Sequence, residues 1–295
     1  METPRLSGSL VLSINLFGVI CSIFSCIMNI FILKKEKKKN EMVLFCFRYF
    51  LAAVYGLTVA IHILSVILYN FYNQDSLDLH TFTVLAAFFS SNILTMRGIV
   101  TLTISVERVI AVCTPLIFRY YRPMIPNNVI LTLILFYGLF EYFILYVICN
   151  YQLNVPYNCV NVGCAMNSCF RQYFRPLKLI IYGPTLLFAI ILSFKLICKA
   201  NKTKNNDATM NRVAANRLAL IDVIIIFFFD VLLSIFLTVF DQNNLLTNSG
   251  PFASVLRELG CSIEALLVFR LVRQKSNVAC TPTTSKHNVM VKNVK

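Results

Sequence analysis

Charge is scarce in this sequence: Asp, Glu, Lys and Arg make up 14% of its 295 residues, against about a quarter in ordinary soluble domains. Trp is absent, and there are only 3 His. His62, His80 and His287 stand far apart and no H-E-x-x-H occurs, so an intramembrane zinc hydrolase has no ligand set. His62, within an apolar run, reads as a hydrogen-bonded core residue and not as a ligand. No G-x-S-x-G and no phosphate-binding loop occur. The last apolar run holds no Lys, which excludes a retinal Schiff base there. Neither an enzyme, a metal centre nor a cofactor is expected.

What the chain has in quantity is apolar surface. It is 58% hydrophobic with a mean hydropathy of +0.72. One aqueous core cannot hide that much, so lipid must cover the rest. The formal net charge is +14 and the pI about 9.4. The basic residues sit in short clusters between apolar runs, which fits an anionic inner leaflet and not nucleic acid.

A spanning helix needs about 20 mostly apolar residues. Seven runs qualify, predicting an all-α membrane protein built as a seven-helix bundle. The first is uncharged over Leu6–Leu33 and is stopped by Lys34-Lys35-Glu36-Lys37-Lys38-Lys39; it is too long for a cleaved signal. The others run from Leu44 to Tyr72, Thr81 to Arg108, Pro126 to Cys149, Pro176 to Lys199, Arg217 to Phe240 and Gly250 to Val272. Pro126, Pro176 and Pro251 are read as first-turn prolines opening the fourth, fifth and seventh. No linker divides residues 1–272, and 273–295 reads as a polar, disordered cytosolic tail whose Cys280 is expected unmodified.

Basic residues set the orientation. Lys34 to Lys39, Arg119 and Arg122, Lys199 to Arg212, and Arg273 to Lys295 all fall on one side. The Asn73–His80 and Asp241–Gly250 loops opposite contain no Lys or Arg; only Arg171 and Arg175 break the pattern. The N-terminus is therefore expected outside and the C-terminus in the cytosol.

Cysteines sort by that topology. Cys149, Cys159, Cys164 and Cys169 lie in or beside the long fourth loop, on the oxidising side, and are the disulfide candidates, with three pairings open. Cys21, Cys26, Cys46, Cys113, Cys198, Cys261 and Cys280 are expected reduced. Zinc in the loop would need a neighbouring His or a paired C-x-x-C, and neither is there.

Charges inside spans must face the bundle or a cavity. Depth at 1.5 Å per residue puts Arg97 about 24 Å, Glu264 about 20 Å and Asp230 about 15 Å below the outer ends of their helices. Arg257 and Glu264, seven residues apart, share a helix face. Arg97, Asp230, Arg257, Glu258 and Glu264 form an expected polar cluster, read either as a structural ion network or as the floor of a ligand cavity. Glu141, in the outer half of the fourth span, joins it or faces an outer cavity.

Ile104-Ser105-Val106-Glu107-Arg108-Val109-Ile110-Ala111 places an acid–arginine pair at the cytosolic end of the third span, resembling the switch of G-protein-coupled receptors. Asp222 lies about 7 Å inside the cytosolic end of the sixth, in reach of a bridge to Arg108. More widely, the chain resembles the nematode chemoreceptors called serpentine receptor class BC. The resemblance rests on Asn29-Ile30, Leu44-Phe45 through Arg48, Tyr55-Gly56, Ile104–Ala111, Pro115, Tyr121-Arg122 and Ile125-Pro126-Asn127. It continues through Val155-Pro156, Asn158-Cys159, Gly163–Phe170, Asn216–Asp222, Phe229-Asp230, Gly250-Pro251, Gly260-Cys261 and Ile263-Glu264. It implies a sensory-neuron receptor that detects a small external molecule, pheromones among them, and couples to a heterotrimeric G protein. A ligand-gated channel subunit or a small-molecule transporter is the alternative. Unlike rhodopsin-like receptors, the chain has no Pro inside the sixth span, no N-P-x-x-Y in the seventh, and no cysteine at the outer start of the third.

Overall fold

The computed structural model describes residues 8–36, 43–71, 77–153, 159, 162–202, 225–232 and 252–279. Among them regular structure is helical and no strand occurs. The helices are α1 (Gly8–Glu36), α2 (Val43–Phe71), α3 (Leu77–Cys113), α4 (Pro115–Tyr121), α5 (Asn127–Phe143), α6 (Val162–Ala165), α7 (Ser168–Lys202) and α8 (Phe252–Ala279). A π-helical turn, Ile144–Ile148, continues α5, and a second π-helical segment covers Ile226–Leu232.

α1 shows why these helices belong in lipid. Asn15, Gly18, Ser22, Ser25 and Asn29 recur at spacings of three and four, so they form one stripe, and all are buried. The opposite face carries exposed Leu16, Phe17, Ile20, Ile23, Phe24, Ile27 and Phe31, with Ile20 65% exposed. Small polar residues inside and large apolar ones outside invert the order of a soluble protein and match packing between membrane helices. Two of the buried polar side chains bond within the helix: Ser22 Oγ donates to Gly18 O at 2.8 Å and Asn29 Nδ2 to Ser25 O at 2.8 Å. Lys34 and Lys35 in the last turn complement the helix dipole.

Among the described residues, four segments are both long and apolar enough to cross a bilayer: Ser9–Lys35, Val43–Phe71, Asn127–Ile148 and Ser168–Lys195. α3 and α8, of 37 and 28 residues, are long enough but carry charges within their spans. The helices close into a ring in which α1 packs on α2, α2 on α3, α3 on α7, α7 on the Ile226–Leu232 segment, that segment on α8, and α8 on α1. α5 packs against α3. Two glycines permit close approaches between elements. A Cβ on Gly56 would lie 2.8 Å from Ser22 O, a backbone atom that cannot give way. One on Gly260 would meet the Phe229 ring at 2.5 Å, seating the π-helical segment against α8. The main core joins Leu51, Tyr55, Val59, Ile63, Ile93, Val100, Val255 and Cys261.

A second core caps one end of the bundle. Phe88, Ile144, Leu145, Tyr151, Cys159, Met166, Phe170 and Phe174 pack there. Cys149 is bridged to Cys169 and Cys159 to Cys164, which resolves the three pairings that the sequence left open. Cys21, Cys26, Cys46, Cys113, Cys198 and Cys261 are not disulfide-bonded, while Cys280 lies outside the described residues. His80, near the start of α3, holds the loop: its Nε2 bonds Cys159 O at 2.9 Å and its ring stacks obliquely on Tyr69.

Several boundaries differ from the sequence reading. Pro176 does not open the fifth span; it lies inside α7, as does Pro184. The helix starts earlier because Asn167 caps it, its Oδ1 accepting from Phe170 N–H at 2.9 Å, and because the Cys169 bridge anchors the first turn. Proline is tolerated within membrane helices where neighbours satisfy the freed carbonyl. α8 continues past Val272 to Ala279. The loop after α3 also has structure: Pro115 starts α4 at a first-turn position, and a 3-10 turn, Arg122–Met124, follows it.

Candidate functional site

Two polar centres lie within the bundle. In the first, Glu264 of α8 takes one guanidinium on each carboxylate oxygen. Arg48 Nη2 of α2 lies 2.5 Å from Oε1, and Arg97 Nη2 of α3 lies 2.6 Å from Oε2. Arg97 also donates to the sulfur of Cys261 at 2.7 Å. Arg48, Arg97 and Glu264 are all buried, so three helices are tied through one carboxylate. The depth estimate correctly places Arg97 with Glu264. Arg48, named in the sequence only as an interruption of its span, belongs to the same centre. The same rise per residue would have found it: Arg48 sits about 8 Å into α2 from the end that faces the lysine loop, near the level of Glu264.

Among the described residues, neither Glu258 nor Arg257 makes an ion pair with this triad. Glu258 is 0% exposed, yet neither carboxylate oxygen has a hydrogen-bond partner among the described residues. Nε of Arg257 likewise has none. Asp230 lies on the Ile226–Leu232 segment, but its side chain, like all of Asp222, falls outside the described residues.

Glu141 is separate from the triad and builds the second centre, beneath the disulfide-bridged cap. Asn92 Nδ2 of α3 donates to its Oε2 at 2.6 Å and to Gly138 O at 2.9 Å. Thr95 Oγ1, a turn further along α3, approaches Oε1 at 3.4 Å. Beside the carboxylate lies a small, partly open pocket with a cavity volume of about 10 Å³, room for little more than a water molecule. Phe88, Ser91 and Asn92 of α3, Glu141, Tyr142 and Leu145, and Phe170 and Phe174 of α7 line it. Among the described residues, Glu141 is the one charged group on that lining. Around it, Lys178 holds its ammonium 4.1 Å from the centroid of the Phe174 ring, and the Tyr137 and Tyr173 hydroxyls share a 2.8 Å hydrogen bond. α5 changes to π-helical winding at Ile144, directly at the cavity; such local widenings of a helix are frequent at functional sites.

At the other end of α3, Glu107 gives its carboxylate to Arg122 at 2.8 Å, fastening the 3-10 turn beneath the helix. Arg122 Nη1 also donates to Ile125 O at 2.7 Å. Neighbouring Arg108 places its guanidinium over the Phe45 ring of α2, 4.6 Å from the centroid.

No curated protein matches the chain. Residues 8–276, by contrast, match the profile of the serpentine type 7TM GPCR chemoreceptors called Srbc. That match takes in every described helix and both polar centres, omitting only the last residues of α8. This multi-pass membrane protein belongs to the Srbc family of serpentine chemoreceptors.

Proposed function

We propose that the chain is a plasma-membrane chemosensory receptor of seven spans. Its N-terminus lies outside, and it detects a small external molecule at the Glu141 centre and signals through a heterotrimeric G protein. Sensory neurons, at the ciliary membrane, are its expected site of action. The observation that carries this reading is the cavity's position. It lies under a cap held by two disulfides, which persist in oxidising surroundings, and at the opposite end of α3 from Arg108 and Arg122. A ligand entering there would touch α3, α5 and α7, and α3 reaches from the cavity to the G-protein side. The Arg48–Glu264–Arg97 triad acts as a tie among α2, α3 and α8 that fixes how α3 moves. Arg108, with Asp222 as its partner from the sixth span, would hold the cytosolic crevice closed until ligand binds.

A second-messenger screen of small external metabolites on cells expressing the intact receptor tests this. The response should vanish in excised patches and membranes deprived of GTP. Ligand-evoked current that appears within milliseconds in a GTP-free patch containing this protein alone would instead make it a channel.

A further inference from the structure

The short helix α4 carries an apolar face that no described residue covers. Leu116 is 82% exposed, Tyr120 65%, Tyr121 56% and Ile117 53%. At about 100° per residue these four fall within an arc of about 140°, while half-buried Phe118 lies on the other side of the helix. Met124 and Ile125, both exposed, extend the patch through the 3-10 turn. A contiguous apolar patch of this kind marks contact with a partner or with a membrane.

Its position decides between the two. Glu107, whose carboxylate holds Arg122 at 2.8 Å, lies about 9 Å back from the end of α3 at Cys113. The chain after α4 is thereby drawn back along α3 and does not project away from the bundle. Past the 3-10 turn, α5 begins at Asn127, where the apolar segment Asn127–Ile148 also begins. Along α5, exposed Val129, Leu133 and Phe136 form one stripe that continues the apolar surface from Ile125. The patch is thus continuous with the lipid-facing side of a span. Tyr120 and Tyr121 are amphipathic rings of the sort enriched at the headgroup level. Arg119, exposed beside the patch, makes no ion pair with a described residue. Its charge complements the anionic lipid of an inner leaflet.

We propose that α4 lies in the headgroup layer of the adjoining leaflet, with Leu116, Ile117, Tyr120 and Tyr121 on the acyl chains and Arg119 on anionic lipid headgroups. The Glu107–Arg122 bridge then fastens the end of α3 to that leaflet.

Because the chain has no Trp, one introduced indole is a clean reporter. Leu116→Trp and, separately, Tyr120→Trp in the full-length chain are reconstituted into phosphatidylcholine vesicles, with or without phosphatidylserine. Bromine on the lipid acyl chains should quench either indole by about twofold or more, while acrylamide on both sides of the membrane quenches little. Phosphatidylserine should increase the quenching by bromine, and Arg119→Gln should remove that increase. Indoles open to acrylamide and indifferent to bromine would overturn the proposal and leave the face to a protein partner. Bromine quenching that neither phosphatidylserine nor Arg119→Gln alters would overturn the headgroup contact.

Discussion

Replacing Glu264 with Gln should cost the receptor about 3–5 kcal/mol of stability, enough to remove most of it from the cell surface. The change keeps the side chain's shape and removes only its charge. Arg48 and Arg97 are buried, and both reach the same carboxylate. Without it two guanidiniums face each other across α2 and α3 in a medium that solvates neither. Losing one arginine is a smaller insult, because Glu264 keeps the other, so Arg48→Met or Arg97→Met alone should destabilise less than Glu264→Gln. Replacing all three with apolar residues of similar volume should restore most of the loss, since removing a whole buried ion group is often close to neutral. Thermal unfolding of the purified variants checks the order. A Glu264→Gln receptor that unfolds with the wild-type midpoint would show that the triad ties nothing.

The cap gives the second large effect. Cys149–Cys169 closes a loop with a sequence separation of 20, and Cys159–Cys164 one of only 5. In the chain-entropy model these contribute about 3 and about 2 kcal/mol. The longer bridge also anchors the start of α7, where Asn167 Nδ2 donates to Cys149 O at 2.8 Å and Phe170 and Phe174 enter the cavity wall. Cys149→Ser with Cys169→Ser should therefore lower both stability and ligand response. Cys159→Ser with Cys164→Ser should lower stability less, and should spare the cavity. Mass spectrometry of unreduced peptides should find these two linkages. Peptides linking Cys149 to Cys159 or Cys164 would contradict the arrangement, and equal loss from the two double variants would contradict the ranking.

The sequence made the apolar runs legible because lipid exposure leaves a coarse signal, long stretches without charge. It also carried the Arg97–Glu264 contact, because helical rise converts position into depth. Which face of a span meets which neighbour is not encoded in hydropathy. The bond from Asn92 to Glu141 joins residues 49 apart on different helices, and nothing local in either segment announces it. Arg48 stands at the depth of Glu264 as well, but its role depends on Glu264 having a second free oxygen, which depth alone does not show. The start of α7 was misplaced because Pro176 is a strong local signal for a first turn. The true start depends on Asn167 acting as cap and on the bridge from Cys169 to Cys149. Glu107 meeting Arg122 required the chain to fold back through α4, a short helix separated from α3 by Thr114 alone and opening on Pro115.

Everything proposed for the Glu141 cavity and for Arg108 depends on which end of the bundle faces outward. Epitope tags fused before Met1 and after Lys295 measure this directly in intact cells. The N-terminal tag should stain without permeabilisation and the C-terminal tag only after it. A C-terminal tag accessible on intact cells would invert the protein, put the bridged cap in the cytosol, and contradict the receptor reading.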